Sequence, residues 1–209
     1  MKRPDWQSQE LSELAARARG QVRARMQATR RALSASAAAE RSQRIVAALS
    51  QLSILASARA VGLFWPRESH REVDLRPLDA LLRARGVTIY YPFMDPTEHG
   101  FRTGFRRVDS VLELQTRGQA FLEPPPAAPV AARGEIDVLI VPALAVTPEA
   151  HRLGYGSGFY DVTLPDLRPP AQAIIVAYSF QLIAELPTLA HDVACDLVVT
   201  ERELLQPEA

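Results

Sequence analysis

The fold of this chain is limited most by one stretch, Asp137 to Asp161, in which a short apolar run leads into a loop of closely spaced glycines. The run Val138–Val141 has the length and composition of a buried strand, and Pro142 follows it. Glycines then occupy the alternate positions 154, 156 and 158. Such a loop either lets backbone N–H groups approach a ligand or only forms a sharp turn. Arg152 and Asp161 flank it, and this pair suits a polyphosphate with a metal ion.

The elements around this stretch predict the fold class. Apolar runs at 58–65, 87–91, 136–141, 173–177 and 197–200 predict strands, and helical patterns separate most of them. This alternation predicts an α/β fold with three layers, α/β/α, around a largely parallel sheet, preceded by a long N-terminal helix over residues 8–33. We expect residues 1–209 to form a single domain, with residues 1–7 outside its ordered part. In such sheets ligands bind beyond the carboxyl ends of the strands.

The composition restricts the chemistry and the location. Only one of the 24 basic residues, Lys2, is lysine, so every other cation available to a site is an arginine. The single cysteine, Cys195, excludes an internal disulfide and a cysteine cluster for zinc. The chain shows no apolar run of membrane-spanning length and no signal-peptide pattern. We therefore predict a cytoplasmic protein with no membrane partner.

The glycine loop does not match three common motifs. Phe159 occupies the third glycine position of a dinucleotide-binding G-x-G-x-x-G, and no P-loop motif occurs in the chain. Ser157 lacks the glycines two residues away on each side that a nucleophile elbow requires. These mismatches argue against a Rossmann dehydrogenase, a P-loop kinase and an α/β-hydrolase.

Three arginines of the long helix share one side. At about 100° per residue, Arg19, Arg23 and Arg30 lie close together at the edge of its apolar stripe. Such a row is either a solvated face or is directed into a cleft, and spacing leaves both open. The first 50 residues carry ten basic and four acidic residues, which would also suit nucleic acid. However, the remaining arginines scatter around the helix without interleaved aromatics, so we predict no nucleic-acid partner.

Two further carboxylates are candidates for the site. Glu72 precedes a predicted helix and would either bind a polar head group or place a charge at the helix start. Asp196 directly precedes a predicted strand. It would either complete a Mg²⁺ site with Asp161 or cap the edge of the strand.

In chain order, these segments resemble the 5-formyltetrahydrofolate cyclo-ligase family, also called 5,10-methenyltetrahydrofolate synthetases. The similarity is most specific over residues 152–161, R-L-G-Y-G-S-G-F-Y-D. Weaker matches fall in family order at Arg19-x-x-Val22-Arg23 with Arg30, Glu72-Val73-Asp74, Gly118 to Pro124, and a tail that includes Asp192 and Asp196.

The resemblance implies an ATP- and Mg²⁺-dependent cyclisation of 5-formyltetrahydrofolate to 5,10-methenyltetrahydrofolate, through a phosphorylated imidate. ATP is then a co-substrate, Mg²⁺ the cofactor, and we expect a monomer or weak homodimer. The alternative is a non-catalytic folate- or nucleotide-binding relative of the same fold. Departures from the family pattern at Thr147, Ala150 and Val162 favour that alternative.

The resemblance also implies roles for individual residues. The catalytic pair would be Arg152 and Tyr160, and Mg²⁺ would bind Asp161 and Asp196. The ATP contacts would be Arg19, Arg23, Arg152, Leu153, Gly154, Tyr155, Gly156, Ser157, Gly158, Phe159 and Tyr160. The folate contacts would be Trp65, Glu72, Tyr155, Gly156, Ser157, Gly158 and Phe159.

Overall fold

The computed structural model describes residues 6–117, 121–187, 189 and 192–207, with side chains from Glu10 onward. Its α-helices are α1 (Trp6–Arg31), α2 (Ala35–Ser50), α3 (Ser53–Ser57), α4 (Arg76–Ala84) and α5 (Phe159–Leu167). Its strands are β1 (Ala60–Gly62), β2 (Thr88–Thr97), β3 (Gly100–Arg107), β4 (Gln115–Thr116), β5 (Leu122–Glu123), β6 (Val138–Pro142), β7 (Ala145–Val146), β8 (Arg152–Leu153), β9 (Gln172–Val176), β10 (Leu197–Val199) and β11 (Leu204–Leu205). Short 3₁₀ turns lie at Glu68–His70, Val111–Glu113 and Ser179–Gln181.

Within the described residues, seven strands form one sheet in the order β11-β10-β9-β6-β1-β2-β3. The strands β1, β2, β6, β9 and β10 pair in parallel, and β3 and β11 are antiparallel edge strands. The predicted α/β class with a largely parallel sheet is therefore confirmed. The parallel strands place their carboxyl ends at one common edge, where the candidate site lies.

Both faces of the central strand β6 are buried. Val138 and Ile140 belong to the apolar cluster that includes residues of α2, α3 and α4, and Leu139 and Val141 belong to the cluster with α5. All four side chains are fully buried. Each such burial stabilises the fold by roughly 1.5–3 kcal/mol relative to exposure. The continuous apolar run is thus explained by a parallel strand covered on both sides.

The predicted long N-terminal helix is confirmed, but only its second half packs. Met26 is buried in a cluster with Leu144 and Leu153. Leu11, on the first half of the helix, is 67% exposed. A helix of 26 residues is roughly 39 Å long, and its first turns extend past the surface on which the later turns pack.

Two prolines lie inside regular elements, where this residue is usually unfavourable. Strand β2 continues through Pro92, which pairs opposite Phe105. Because β1 ends at Gly62, opposite Tyr90, none of the described strands pairs with β2 on that side from Pro92 onward, and proline is tolerated there. Helix α5 continues through Pro165 to Leu167, and the burial of neighbouring leucines offsets the missing hydrogen bond.

Two sequence expectations fall on residues 1–5 and 118–120, which lie outside the described residues. The first is that residues 1–7 lie outside the ordered part of the domain, although Trp6 and Gln7 belong to α1, and the second is the family match at Gly118. Of the helices that the structure describes, none has the length together with the apolar character that a membrane span requires.

Candidate active site

A cleft opens at the carboxyl ends of β1 and β6, where the sequence predicts ligand binding. Phe64 and Trp65 follow β1, and Pro142 ends β6. The glycine loop, residues 154–158, forms a second wall, and Arg19 and Arg23 of α1 reach the cleft from a third direction. The tertiary fold therefore brings together most of the residues that the sequence predicts for the site.

The backbone of the glycine loop is shaped by two glycines in the positive-φ region. The φ angles of Gly156 and Gly158 are 106° and 70°. Gly158 is also the N-cap of α5 and has no side chain to cap it, so the first N–H groups of the helix lie beside the cleft, and that of Phe159 donates to the Ser157 hydroxyl at 3.4 Å. A helix N-terminus of this kind favours an anion. Leu153 is buried in the cluster of Met26 and Leu144 and does not line the cleft, so only its backbone is available to a ligand there.

The arginine row of α1 is directed inward, which decides between the two alternatives that spacing left open. Arg23 donates from Nε to the carbonyl of Gly154 at 3.0 Å. Arg19 donates from both terminal nitrogens to the Asp192 carboxylate, at 2.6 and 3.0 Å, and is buried. Burial, reinforced by the nearby Arg19 charge, lowers the pKa of Arg23. Positive charge is therefore concentrated beside the glycine loop.

Arg152 and Asp161 form an ion pair across that loop. Nη2 of Arg152 donates to Oδ1 of Asp161 at 2.6 Å, and Nη1 donates to the carbonyl of Val193 at 2.9 Å. The Arg152 side chain is 3% exposed and that of Asp161 25% exposed, so the carboxylate retains an open edge. The Tyr160 ring lies 5.6 Å from the Arg152 guanidinium carbon. Burial raises the pKa of the Tyr160 phenol, which leaves it protonated at neutral pH, as a donor and not a base.

The structure does not bring Asp196 to Asp161, so the prediction of a joint Mg²⁺ site is wrong. Asp196 stands at the amino end of β10, where it accepts the backbone N–H of Ala173 at 2.6 Å and Nη2 of Arg168 at 2.7 Å. Arg168 is the C-cap of α5, whereas Asp161 lies in its first turn. Seven helical residues span roughly 10 Å. Asp196 is therefore a cap at the edge of the strand, which is the other alternative that the sequence left open.

Glu72 also lines the cleft and is held by arginines. Its carboxylate accepts the backbone N–H of Arg67 at 2.8 Å, and Nε and Nη2 of the same residue at 3.1 and 2.7 Å. Nη2 of Arg30 lies 3.9 Å away. Glu72 is largely buried but still lines the cleft. A carboxylate with fixed orientation can accept N–H groups from a ligand.

An apolar wall completes the cleft between the two charged regions. Trp65, predicted as a substrate contact, lines it with Phe64, Met94 and Phe121. The last three residues, and also Arg67, were not predicted from the sequence. Met94 lies on the part of β2 beyond Pro92, where no strand was expected. The sequence contains only a weak indication that Arg67 belongs to the site, namely that it is a cation two residues after Trp65.

The fold and the cleft define an α/β protein whose ligand-binding cleft is lined by a glycine loop and an apolar wall. The chain belongs to the 5-formyltetrahydrofolate cyclo-ligase family, because the model of that family matches residues 15–201.

Individual relatives support this assignment. A 5-formyltetrahydrofolate cyclo-ligase of Mycolicibacterium smegmatis is 47% identical over 79 residues, which cover 38% of this chain and only 41% of that protein. One of Escherichia coli K12 is 32% identical over 131 residues, covering 62% of this chain and 71% of that protein.

Solved structures share the fold. The NMR structure of Aquifex aeolicus 5,10-methenyltetrahydrofolate synthetase superposes with a TM-score of 0.78 at 27% identity, covering 91% of this chain and 93% of that one. The synthetase from Mycoplasma pneumoniae has a TM-score of 0.68 at 22% identity over 88% of this chain and 98% of that one, which shows the fold alone.

Proposed function

We propose that this protein converts 5-formyltetrahydrofolate and ATP into 5,10-methenyltetrahydrofolate, ADP and phosphate. The observation that carries the proposal is the pairing, within one cleft, of an anion-binding loop with an apolar wall. The loop at the start of α5, together with Arg23, suits a polyphosphate, and the wall around Trp65 suits a flat heteroaromatic ring. The family assignment supplies the substrate class.

The nucleotide would lie along the glycine loop. Backbone N–H groups of residues 154–160 would approach the phosphates, because glycines leave space that side chains would fill. Among the cleft arginines, Arg23 is the first candidate for phosphate contact, since its only hydrogen bond within the described residues is to a carbonyl. Arg19 contributes charge, but both of its terminal nitrogens already bind Asp192.

The residues present fit a Mg²⁺ ion that binds with the nucleotide. No group of three or more metal-ligating side chains occurs in the part of the chain that the structure describes. Mg²⁺ needs only one or two carboxylates when phosphate oxygens and water complete its shell. Asp161, with its open edge toward the cleft, would hold it. The ion would supply charge neutralisation on the phosphates.

The folate would occupy the remainder of the cleft. Glu72 would accept N–H groups of the pterin, and Trp65 would pack against its ring. Tyr155 to Phe159 would separate the two ligands and contact both. This arrangement would bring the 5-formyl oxygen to the γ-phosphate.

The reaction then needs positioning and charge stabilisation more than a protein nucleophile. The formyl oxygen attacks the γ-phosphorus and the bond to ADP breaks, which gives a phosphorylated imidate. N10 attacks the imidate carbon, the carbon–oxygen bond to phosphate breaks, and N10 loses its proton. Arg152 and protonated Tyr160 would donate hydrogen bonds to the oxygens where negative charge develops.

The proposal is tested by mixing the protein with 5-formyltetrahydrofolate and Mg·ATP and following the methenyl product by its absorbance. Stoichiometric ADP release is expected. Calorimetry with folate, and with a non-hydrolysable ATP analogue, measures binding separately from turnover. Binding of both ligands without product would instead support a non-catalytic relative. The cytoplasmic location, the monomeric or weakly dimeric state and the absence of nucleic-acid and membrane partners stay predictions.

A further inference from the structure

Arg67 contacts both surfaces to which we assign folate binding. Its backbone N–H and its side-chain Nε and Nη2 all donate to the Glu72 carboxylate, at 2.8, 3.1 and 2.7 Å. Its guanidinium carbon also lies 4.0 Å from the centroid of the Tyr155 ring in the glycine loop. One side chain thus links two loops that are distant in sequence.

The contact to Glu72 fixes the orientation of the carboxylate. Glu72 lies at the end of an irregular loop that contains a 3₁₀ turn and Arg71 in a left-handed conformation, with φ of 49°. Its other cationic neighbour, Arg30, is 3.9 Å away. A guanidinium is planar and donates two N–H groups in fixed directions, so it restricts the carboxylate more than a point charge would. The side chains of Glu72 and Arg67 are 5% and 19% exposed, so water does not replace this contact.

The contact to Tyr155 restrains the position of that ring. The Tyr155 hydroxyl is buried without a hydrogen-bond partner in the described part of the chain. Its position therefore depends on packing against the cluster of Met26 and Leu144 and on ring contacts to Arg67 at 4.0 Å, Arg30 at 5.3 Å and the His70 ring at 5.9 Å. Arg67 is the nearest of these and is the one that also lines the cleft.

We propose that Arg67 is a positioning residue for the folate half of the site. It orients Glu72 toward the N–H donors of a reduced pterin and holds Tyr155 between the pterin and the nucleotide. This inference rests on the proposed function. Arg67 makes no hydrogen bond or ion pair with Arg23, Arg152 or Asp161 in the structure, so its loss affects folate affinity more than phosphoryl transfer.

The test compares Arg67→Met, Arg67→Lys and the control Arg71→Met. The control removes a cation from the same loop, at a residue whose side chain has no hydrogen bond or ion pair among those described, and it keeps an unbranched side chain at the positive-φ position. We expect Arg67→Met to raise both the Kd and the KM for 5-formyltetrahydrofolate by about tenfold or more. We expect kcat and the KM for ATP to change less than about threefold, because the phosphate contacts remain. Arg67→Lys should recover part of the affinity, and Arg71→Met should match the wild type.

A double-variant cycle with Glu72→Gln distinguishes positioning from a general structural effect. If Arg67 acts through Glu72, the loss of folate affinity in the double variant will be clearly smaller than the product of the two single losses. A folate Kd within about twofold of wild type in Arg67→Met, or equal losses in kcat, overturns the inference. Should Arg67→Met fail to fold, wild-type folate affinity in Arg67→Lys overturns it. A wild-type protein that neither binds nor converts folate refutes the proposed function, and this inference with it.

Discussion

The two edges of the parallel sheet hold their carboxylates in different ways. At the amino edge, Asp137 and Asp196 each stand directly before a strand and accept backbone N–H groups from the start of the neighbouring strand. Asp137 accepts from Arg59 and Ala60 at 2.7 and 3.0 Å, and Asp196 accepts from Ala173 at 2.6 Å. At the carboxyl edge, Asp161 and Glu72 are held by arginine side chains at 2.6 and 2.7 Å. Asp196 also accepts Nη2 of Arg168, and Glu72 also accepts the backbone N–H of Arg67, but that N–H belongs to a loop and not to a strand.

The polarity of the strands explains this difference. Parallel strands present unpaired N–H groups at their amino ends and unpaired carbonyls at their carboxyl ends. A carboxylate at the amino edge is therefore satisfied by the fold. One at the carboxyl edge needs cations, a metal ion or ligand donors. For this reason, an aspartate before a strand is a weak candidate for a site, even when a family motif contains it.

The largest expected effect tests the carboxyl edge. Asp161→Asn should lower turnover on the order of a hundredfold or more, because the open edge of the carboxylate loses its charge. The amide oxygen still accepts from Arg152, so the folded state should persist. Methenyl formation and a thermal unfolding curve measure the two quantities. Full activity in a folded variant would contradict the metal role of Asp161.

Replacing the carboxylate at the amino edge should have the reverse effect, a loss of stability with turnover retained. Asp196→Ala leaves the N–H of Ala173 and the Arg168 guanidinium without their acceptor, and should reduce the free energy of unfolding by about 2–3 kcal/mol. Turnover per folded molecule should remain within about twofold. The exposed Asp166 on α5, replaced by alanine, is the control, with a change below about 0.5 kcal/mol. Loss of turnover in folded Asp196→Ala would return this residue to the site.

A smaller effect concerns the backbone of the glycine loop at the carboxyl edge. Gly156 has φ of 106°, so Gly156→Ala should cost about 1–2 kcal/mol of stability from backbone strain. Gly154 has no such constraint and no atom within 4 Å of an added Cβ. Gly154→Ala should therefore leave stability unchanged, and it should raise the KM for ATP if phosphate approaches the loop closely. Urea unfolding and steady-state kinetics on both variants separate strain from ligand contact.

The smallest expected effect is a pH dependence of stability, which arises at His70 beside the cationic side chains of the cleft. Burial, together with the nearby Arg67 charge, lowers the pKa of His70 from its ordinary 6.5. The unfolded chain then binds a proton more readily than the folded protein. Stability should be complete above pH 6.5 and fall as the pH drops below it, by less than about 1 kcal/mol. Urea unfolding at several pH values should show this slope in the wild type and a reduced slope in His70→Gln.

Much of the site was predictable, because its parts follow local rules. The glycine spacing predicts a close backbone approach, and the 19/23/30 spacing predicts a shared side of α1. Other parts of the site had only a weak local signal in the sequence or none. Arg67 matters through contacts to Glu72 and Tyr155, and Met94 reaches the cleft only because β2 extends past Pro92. The assignment of Asp196 to the Mg²⁺ site was wrong because the order of motifs along the chain gives no information about which edge of a sheet a residue occupies.

By itself, the sequence determined the α/β class, the buried central strand, the glycine loop and the family. Each of these depends on periodicity or on glycine's backbone freedom, which act over a few residues. Only the tertiary structure decided that the arginine row is directed inward, that Arg152 pairs with Asp161, and that Asp196 caps the opposite edge of the sheet. These outcomes depend on which strand ends meet in space, and strand order and direction are properties of the whole sheet.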